Sequence, residues 1–401
     1  SEAIGLNPQY TDAYYNRGII NMEFDNSSDA LADFENILLI EPNSFETLNN
    51  RGNILRELGR YDEVLADYDK AISLKPDYAE PYFNKSLQKL LLGDFASGWN
   101  LYDWRWKMEH NIGKKLDSSK PMWNGERDVS VFLWAEQGIG DEIMFASLIP
   151  ELKERCSNLT VKCDERLIPL FERSFSQKIN FQFEQDKVTE DSYDFHIPIA
   201  SLPSIFRPSL DSFKQVSGAY LYCDVKRAEE LRKTLLKDKE ETLIGISWHS
   251  AATQPGAHHR NITLSDLAKH LNAPGARLVN LQYGDVADEI RELKDDHGIE
   301  FTEAPDVDNR NDIDGLAALI MACDEVVSID NATVHLSGAL GAQTKTLLPF
   351  NRSWQWGTSG SSNYWYKSVE LYRQQSAGDW KQVLDQLRTH GDMLGKKILK
   401  L

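Results

Sequence analysis

The sequence predicts an array of paired helices followed by two α/β units, each built on a parallel sheet. Two observations carry this. Residues of matching type recur every 34 positions over roughly the first hundred, and from about residue 129 short apolar runs alternate with helical patterns. A third refines it: the Lys/Glu-rich run 226–241 separates two blocks, each about the size of one Rossmann unit.

The repeat fixes the first part. Pro8, Pro42 and Pro76 are 34 residues apart, as are Tyr14, Leu48 and Tyr82, and Phe34, Tyr68 and Tyr102. Gly18 pairs with Gly52, and Gly59 with Gly93, at the same spacing. Small residues where two helices cross, aromatics between them and a proline after the second define the tetratricopeptide repeat (TPR). Repeats are expected over 11–44, 45–78 and 79 to about 107, within an array spanning 1–110. Residues 1–8 read as the tail of an earlier repeat. The chain starts without Met inside a repeat, so upstream residues are expected. In the third repeat Ser86 replaces the small Gly and Gly98 sits where Ala is usual. That unit should cap the array and dock on the next domain.

Residues 108–128 break the helical pattern and read as a linker. Strands are expected at Val129–Trp134, Leu159–Cys163, Leu243–Trp248, Arg277–Leu281, Glu325–Ile329 and Thr344–Leu348. Helices are expected around 141–155, 264–271, 285–295, 313–322 and 332–340. Alternation of strand and helix implies parallel sheets. The domains are therefore 121–235, 236–375 and a C-terminal helix, 376–401, packing across both. Ligands of such folds sit at the carboxyl ends of the strands.

Composition excludes some classes. The formal net charge is −18, which disfavours a nucleic-acid backbone or an anionic membrane as main partner. No run approaches the roughly 18 apolar residues of a membrane span, and the first residues lack a secretory core. Cys156, Cys163, Cys223 and Cys323 form no C-x-x-C pair and suggest no disulfide framework. Reduced thiols fit a cytoplasmic protein.

Three constellations could carry chemistry. In Trp134-Ala-Glu-Gln-Gly-Ile-Gly-Asp141, Gly138 and Gly140 permit a tight turn from strand to helix, placing the Asp141 carboxylate at the mouth of a cleft. Taken alone, a Gly-x-Gly-Asp run favours the plainer reading of Asp141 as an N-cap. In Ile329-Asp330-Asn331-Ala332-Thr333-Val334-His335, another strand opens into a helix whose N-terminus suits a diphosphate. A capped helix with a core His335 is the plainer reading. After Leu243–Trp248 runs a loop with His249, His258, His259 and Arg260, a candidate phosphate contact. Gln282 and Tyr283, beyond their own strand, could meet a nucleoside. Asp306-Val-Asp308 and Asp312-Ile-Asp314 look like metal-binding D-x-D pairs, but a solvated loop and an N-cap explain them. No metal or other cofactor is expected. The glycine fingerprint of a dinucleotide oxidoreductase is absent.

Three blocks carry a resemblance: Gly93-Asp94-Phe95 through Trp104-Arg105-Trp106, Ala135 through Asp141 with Pro150, and Ser328 through Gly341 followed by Leu348-Pro-Phe. With the repeats, they resemble bacterial TPR proteins carrying a heptosyltransferase-like glycosyltransferase domain. More distantly the chain is similar to the TPR-containing O-GlcNAc transferases. The resemblance implies a GT-B fold of two Rossmann-like domains and a nucleotide-sugar donor. It also implies Asp141 as general base, with Asp330, Ala332, Thr333 and His335 on the donor's sugar and diphosphate. A basic residue in the loop after the first C-domain strand usually contacts phosphate; here that loop holds His258, His259 and Arg260 rather than Lys. The expected reaction is inverting, metal-independent glycosyl transfer. The alternative is a catalytically inactive TPR adaptor.

Asn16, Asn50 and Asn84 occupy one position of each repeat. An Asn amide both donates and accepts. Three in register would form a ladder for an extended protein acceptor, as in the O-GlcNAc transferases that the array resembles. Equally, Asn could simply be common at this repeat position, where it supports neighbouring loops.

Overall fold

The computed structural model describes residues 2–108, 115–175, 178–183, 188–214, 218–237, 240–250 and 257–387, the side chains of 257 and 258 excepted. Helix α1 (Glu2–Leu6) is followed by three helix pairs. These are α2 (Thr11–Glu23) with α3 (Ser27–Ile40), α4 (Phe45–Glu57) with α5 (Tyr61–Leu74), and α6 (Ala79–Leu91) with α7 (Phe95–Tyr102). A 3₁₀ turn, Asp103–Lys107, ends the array.

The 34-residue period has a steric cause. A Cβ on Gly18 would lie 2.8 Å from Cε1 of Phe34, and one on Gly52 would lie 2.6 Å from Cε1 of Tyr68. Only glycine lets these helix pairs close over their aromatics. Gly52→Ala is expected to cost about 1–3 kcal/mol, the usual scale of overpacking; a urea midpoint equal to wild type would contradict the packing. A second periodic pair lies beside the first. Arg17 Nε donates to Asp33 Oδ2 at 2.9 Å and Arg51 Nε to Asp67 Oδ2 at 2.7 Å, with both aspartates buried. The third repeat loses this pair, having Lys85 and Leu101 at those positions.

The apolar core divides where the repeats change. Tyr14, Phe34, Ile54 and Tyr68 belong to a cluster confined to the first two repeats. Phe83, Leu90, Phe95, Trp99 and Tyr102 of the third merge with residues of both α/β domains. Trp99 Nε1 donates to the Arg207 carbonyl at 2.9 Å and meets Trp354 edge-on at 5.3 Å. Trp104 stacks on Tyr82 at 3.7 Å, and Trp123 on Phe206 at 6.0 Å. The tryptophans near the junction thus pack parts of the chain together.

Strands β1 (Val129–Trp134), β2 (Cys156–Lys162), β3 (Ile179–Gln182) and β4 (Phe195–Pro198) form a parallel sheet ordered β3-β2-β1-β4. Its helices are α8 (Ile139–Ala146), α9 (Ile149–Lys153), α10 (Ile168–Ser174) and α11 (Leu202–Phe206). Helix α12 (Val225–Leu236) follows. The second sheet comprises β5 (Thr242–Ser247), β6 (Ala276–Asn280), β7 (Phe301–Thr302), β8 (Glu325–Ile329), β9 (Thr344–Leu348) and β10 (Val369–Arg373). It too is parallel, ordered β10-β9-β8-β5-β6-β7. Helices α13 (Leu264–Leu271), α14 (Ala287–His297), α15 (Ile313–Ala322) and α16 (Ala332–Leu340) join its strands. The molecule is therefore a TPR solenoid followed by two Rossmann-like units, the GT-B arrangement.

Both sheets step outward from a central strand and then reverse. The reversal falls between β1 and β4 in the first and between β5 and β8 in the second. Such switch points leave a crevice at the strands' carboxyl ends.

Two boundaries differ from expectation. Helix α12, read as the end of the first domain, packs on α15 of the second. Arg227 Nη2 lies 2.6 Å from Asp312 Oδ2, and Arg232 Nη2 lies 2.8 Å from Asp324 Oδ1. As far as Leu236 the Lys/Glu-rich run is thus a half-buried helix on the second domain's side. The described part of the C-terminal helix begins at 380, and its Val383, Leu384 and Leu387 enter the second domain's core. Residues 388–401 lie outside those described.

Candidate functional site

Strand β1 ends at Trp134, and the chain turns through Gly138 into α8, putting Asp141 in the first helical turn. Directly opposite, β8 ends at Ile329 and turns through Asp330 into α16, capped by Asn331. The two turns touch. A Cβ on Gly140 would lie 3.1 Å from Cδ2 of His335 and 3.6 Å from Cα of Ala332. Glycine at 140 is what lets the domains close over one cavity of ≈ 500 Å³. Gly138, Gly140, Asp141, Arg260, Asp330, Asn331, Ala332 and His335 all line it.

Opposite charges face one another inside. Burial first, and then the Asp330 charge, push the Asp141 carboxyl up to about 6, against the smaller pull of Arg260. Asp330 is 2% exposed, accepts from Ser353 Oγ at 2.8 Å and lies 3.8 Å from Arg260 Nε. Burial lowers His335 to about 4, so its ring is neutral. The ring stacks on Trp356 at 5.4 Å, and its Nδ1 lies 2.9 Å from the Tyr366 hydroxyl. His335 is thus packed like a core residue and also lines the cavity.

The loop bearing Asp141 is held from below by the exit of the array. Arg105 is fully buried and donates from Nη2 to Ser201 Oγ at 2.8 Å and to Glu136 Oε1 at 3.2 Å. Its guanidinium also lies over the rings of Tyr102 and Trp106 at 4.5 and 4.4 Å. Tyr102 Oη accepts from Gln137 Nε2 at 2.8 Å. Burial outweighs Arg105 and holds Glu136 near 7. In the same turn Glu142, accepting from the Asp164 N–H at 2.9 Å, is pushed to about 8 by burial.

Several expected contacts lie elsewhere. Thr333 is 1% exposed; its Oγ1 donates to Ser247 Oγ at 3.3 Å and its N–H to Asn331 Oδ1 at 3.0 Å. Asn331 Nδ2 donates to Ser247 Oγ at 2.7 Å and to the His249 carbonyl at 3.2 Å, so its amide ties β8 to β5. Gln282 is buried, its Oε1 accepting from Ser247 Oγ and the N–H groups of Trp248 and His249. Its Nε2 donates to the carbonyls of His249 and Tyr283. It braces the end of β5 instead of presenting an amide to a nucleoside. His249 opens on a neighbouring hollow with Glu289 and His297, its ring 6.3 Å from that of Tyr283. His259 turns to the array, its Nε2 2.8 Å from Asp25 Oδ1. The His258 side chain lies outside the described residues. Asp312 caps α15 through the Gly315 N–H at 2.8 Å, and Asp314 pairs with Arg173, which accounts for one D-x-D.

The asparagines do not form a uniform ladder. Asn50 Nδ2 donates to Tyr15 Oη at 3.0 Å, and Asn84 Nδ2 to Asn49 Oδ1 at 3.0 Å. Each thus spends a donor on the preceding repeat, while Asn16 is exposed. The array instead reaches the cavity through Arg56, Phe83, Leu87 and Leu91, which line it with Tyr102. Arg352, Ser353 and Trp354 close another side. Sequence reasoning missed Arg56, Leu87 and Arg352. For Arg352 a signal existed, since it follows the carboxyl end of β9; for Arg56 there was none.

The fold is a TPR solenoid that shares one cavity with a pair of Rossmann-like domains. The tetratricopeptide-repeat family model matches residues 45–78. Protein FlbA of Caulobacter vibrioides is similar along 97% of this chain, at 26% identity over 407 residues. The chain spans 62% of the length of that relative. Among solved structures, a glycosyl transferase family 9 protein from Veillonella parvula aligns with 66% of this chain and 90% of its own. Its identity is 13% and its TM-score 0.44. The ADP-heptose lps heptosyltransferase II of E. coli covers 65% of this chain and 98% of its own, at 14% identity and a TM-score of 0.42. Among the described residues no helix is long and apolar enough to cross a membrane.

Proposed function

We propose that the chain is a glycosyltransferase that moves a sugar from a nucleotide-sugar donor to an acceptor by inverting, metal-independent displacement. One observation carries the reading: a single cavity joins the switch points of both domains, with the Asp141 carboxylate on one wall and the N-terminus of α16 on the other. Asp141 takes the proton of the acceptor hydroxyl or amide as the nucleophile attacks the anomeric carbon. A carboxyl near 6 is well matched to that task at neutral pH, being ionised yet more basic than a free aspartate. The departing diphosphate meets the positive end of α16 and Arg260. Ala332 and His335 form the wall against the donor sugar. A protein acceptor is favoured because the TPR array opens directly onto the cavity through Phe83, Leu87 and Leu91.

The test is direct. The full chain is incubated with a panel of nucleotide sugars, and both melting temperature and nucleoside diphosphate release are followed, with and without chelator. One donor should raise the melting temperature and turn over equally in both conditions. Activity abolished by chelator and restored by a divalent ion would end the metal-free scheme. Binding without turnover, across acceptors, would leave the inactive adaptor.

A further inference from the structure

Two arginines in the cavity have no role in the mechanism above. Arg56 comes from the last turn of α4, in the second repeat, and Arg352 from the loop after β9. Neither has an ion-pair partner among the described residues, and the buried Arg352 Nε has no hydrogen-bond acceptor. The contrast within the array is instructive: Arg17 and Arg51 are each clamped on a buried aspartate.

The surroundings of Arg352 favour an anionic ligand. Arg352 sits near Arg373, whose guanidinium is buried against the carbonyls of Trp356, Gly357 and Gly360. Arg373 is held down to about 10, by burial first and then by the Arg352 charge. Like charges beside one another, and a buried donor without an acceptor, both favour an incoming anion. The cavity's charged lining is Arg56, Arg260 and Arg352 against Asp141 and Asp330, a local excess of cations in a chain of net charge −18. Arg260 already lies beside Asp330.

We propose that Arg56 and Arg352 together grip a phosphate-type anionic group of the donor, so that the repeat array supplies part of the donor site itself. The inference rests on the proposed function only for the word donor. A guanidinium presents paired N–H groups that match phosphate oxygens. Two of them from different domains would hold the anion between the solenoid and the second Rossmann-like unit. Donor binding would then draw the second repeat and the loop after β9 together.

Inorganic pyrophosphate is the probe, titrated calorimetrically into the full chain as wild type, Arg56→Ala, Arg56→Lys and Arg352→Ala. Wild type should bind, and more weakly as salt rises. Arg56→Ala should lose roughly ten- to hundredfold in affinity, the scale of hydrogen bonds to a charged group. Arg56→Lys should recover part of it. Because Arg56 has no ion-pair partner among the described residues, the ligand-free melting temperature of Arg56→Ala should match wild type, which keeps the result interpretable even if Arg352→Ala folds poorly. Equal pyrophosphate affinity in wild type and Arg56→Ala overturns the proposal, as does a wild type that does not bind. Since the readout is binding, an Arg56-dependent site in a chain that transfers no sugar would contradict the glycosyltransferase reading and leave the anion site standing.

Discussion

Asp141→Asn should fold, bind donor and lose roughly 10²–10⁴ in turnover, the scale of a missing general base. The substitution keeps size and shape and removes only the ability to take a proton. Its effect on stability should run the other way. Asp141 and Asp330 face the same cavity, and the carboxyl at 141 is raised above its ordinary value by burial and by that neighbour. A carboxyl raised in the native state opposes folding increasingly as pH climbs from its ordinary 3.8 to about 6, and by the full amount above that. Removing its charge should therefore leave the melting temperature at neutral pH equal to wild type or higher. The same value sets the pH profile. Wild-type turnover should climb about tenfold per unit below pH 6 and level off above it, as the base becomes ionised. That limb should vanish in the variant. Turnover near wild type in Asp141→Asn would remove this residue from the chemistry.

The second large effect concerns Trp99→Ala. Trp99 is 4% exposed and sits where solenoid, first domain and second domain meet. Its ring is edge-on to Tyr102 and to Trp354, both at 5.3 Å, and its indole N–H satisfies the Arg207 carbonyl. Truncation leaves a cavity and an unpaired carbonyl, for an expected cost of about 3–5 kcal/mol. Trp354 and Tyr102 also line the cavity of the proposed site, so turnover should fall with stability. Trp99→Phe should keep most of the packing and lose chiefly the hydrogen bond, about 1 kcal/mol. Urea midpoints compare the three. A loss below about 1 kcal/mol in Trp99→Ala would mean that the array is merely tethered to the domains.

The parts legible in the sequence were those written as local patterns. The 34-residue period gave the helix pairs because the crossings of the first two repeats need a glycine against an aromatic. Six strands of the two sheets could be read because each is an apolar run beside a helical pattern. Strands β3, β4 and β7 have four residues or fewer, too short for any periodicity, and β10 reads VELYR, a mixed edge strand. The turns at Asp141 and Asp330 were readable because each follows a strand and opens a helix. What the sequence hides is direction. Thr333 and Gln282 stand at the right places along the chain, yet their side chains point inward and satisfy buried backbone and hydroxyl groups. Asn50 and Asn84 likewise brace the neighbouring repeat. Arg56 is the opposite case. Nothing within its helix distinguishes it from a solvated arginine, and only the folding of the solenoid against the second domain brings it to the cavity.

The break in the apolar core between the second and third repeats bears on how such proteins diversify. The first two repeats form a self-contained cluster, whereas Phe83 through Tyr102 are continuous with both Rossmann-like domains. A recombination joint near residue 78 would exchange the outer recognition surface without opening the shared core. It would also carry Arg56 away, so a grafted array that keeps the activity should bring an arginine to that place, whereas a joint upstream of residue 45 would be free to vary. Lineages built from this scaffold should then show rapid turnover of their outer repeats and a frozen third one, the solenoid behaving as an interchangeable sleeve on a fixed collar.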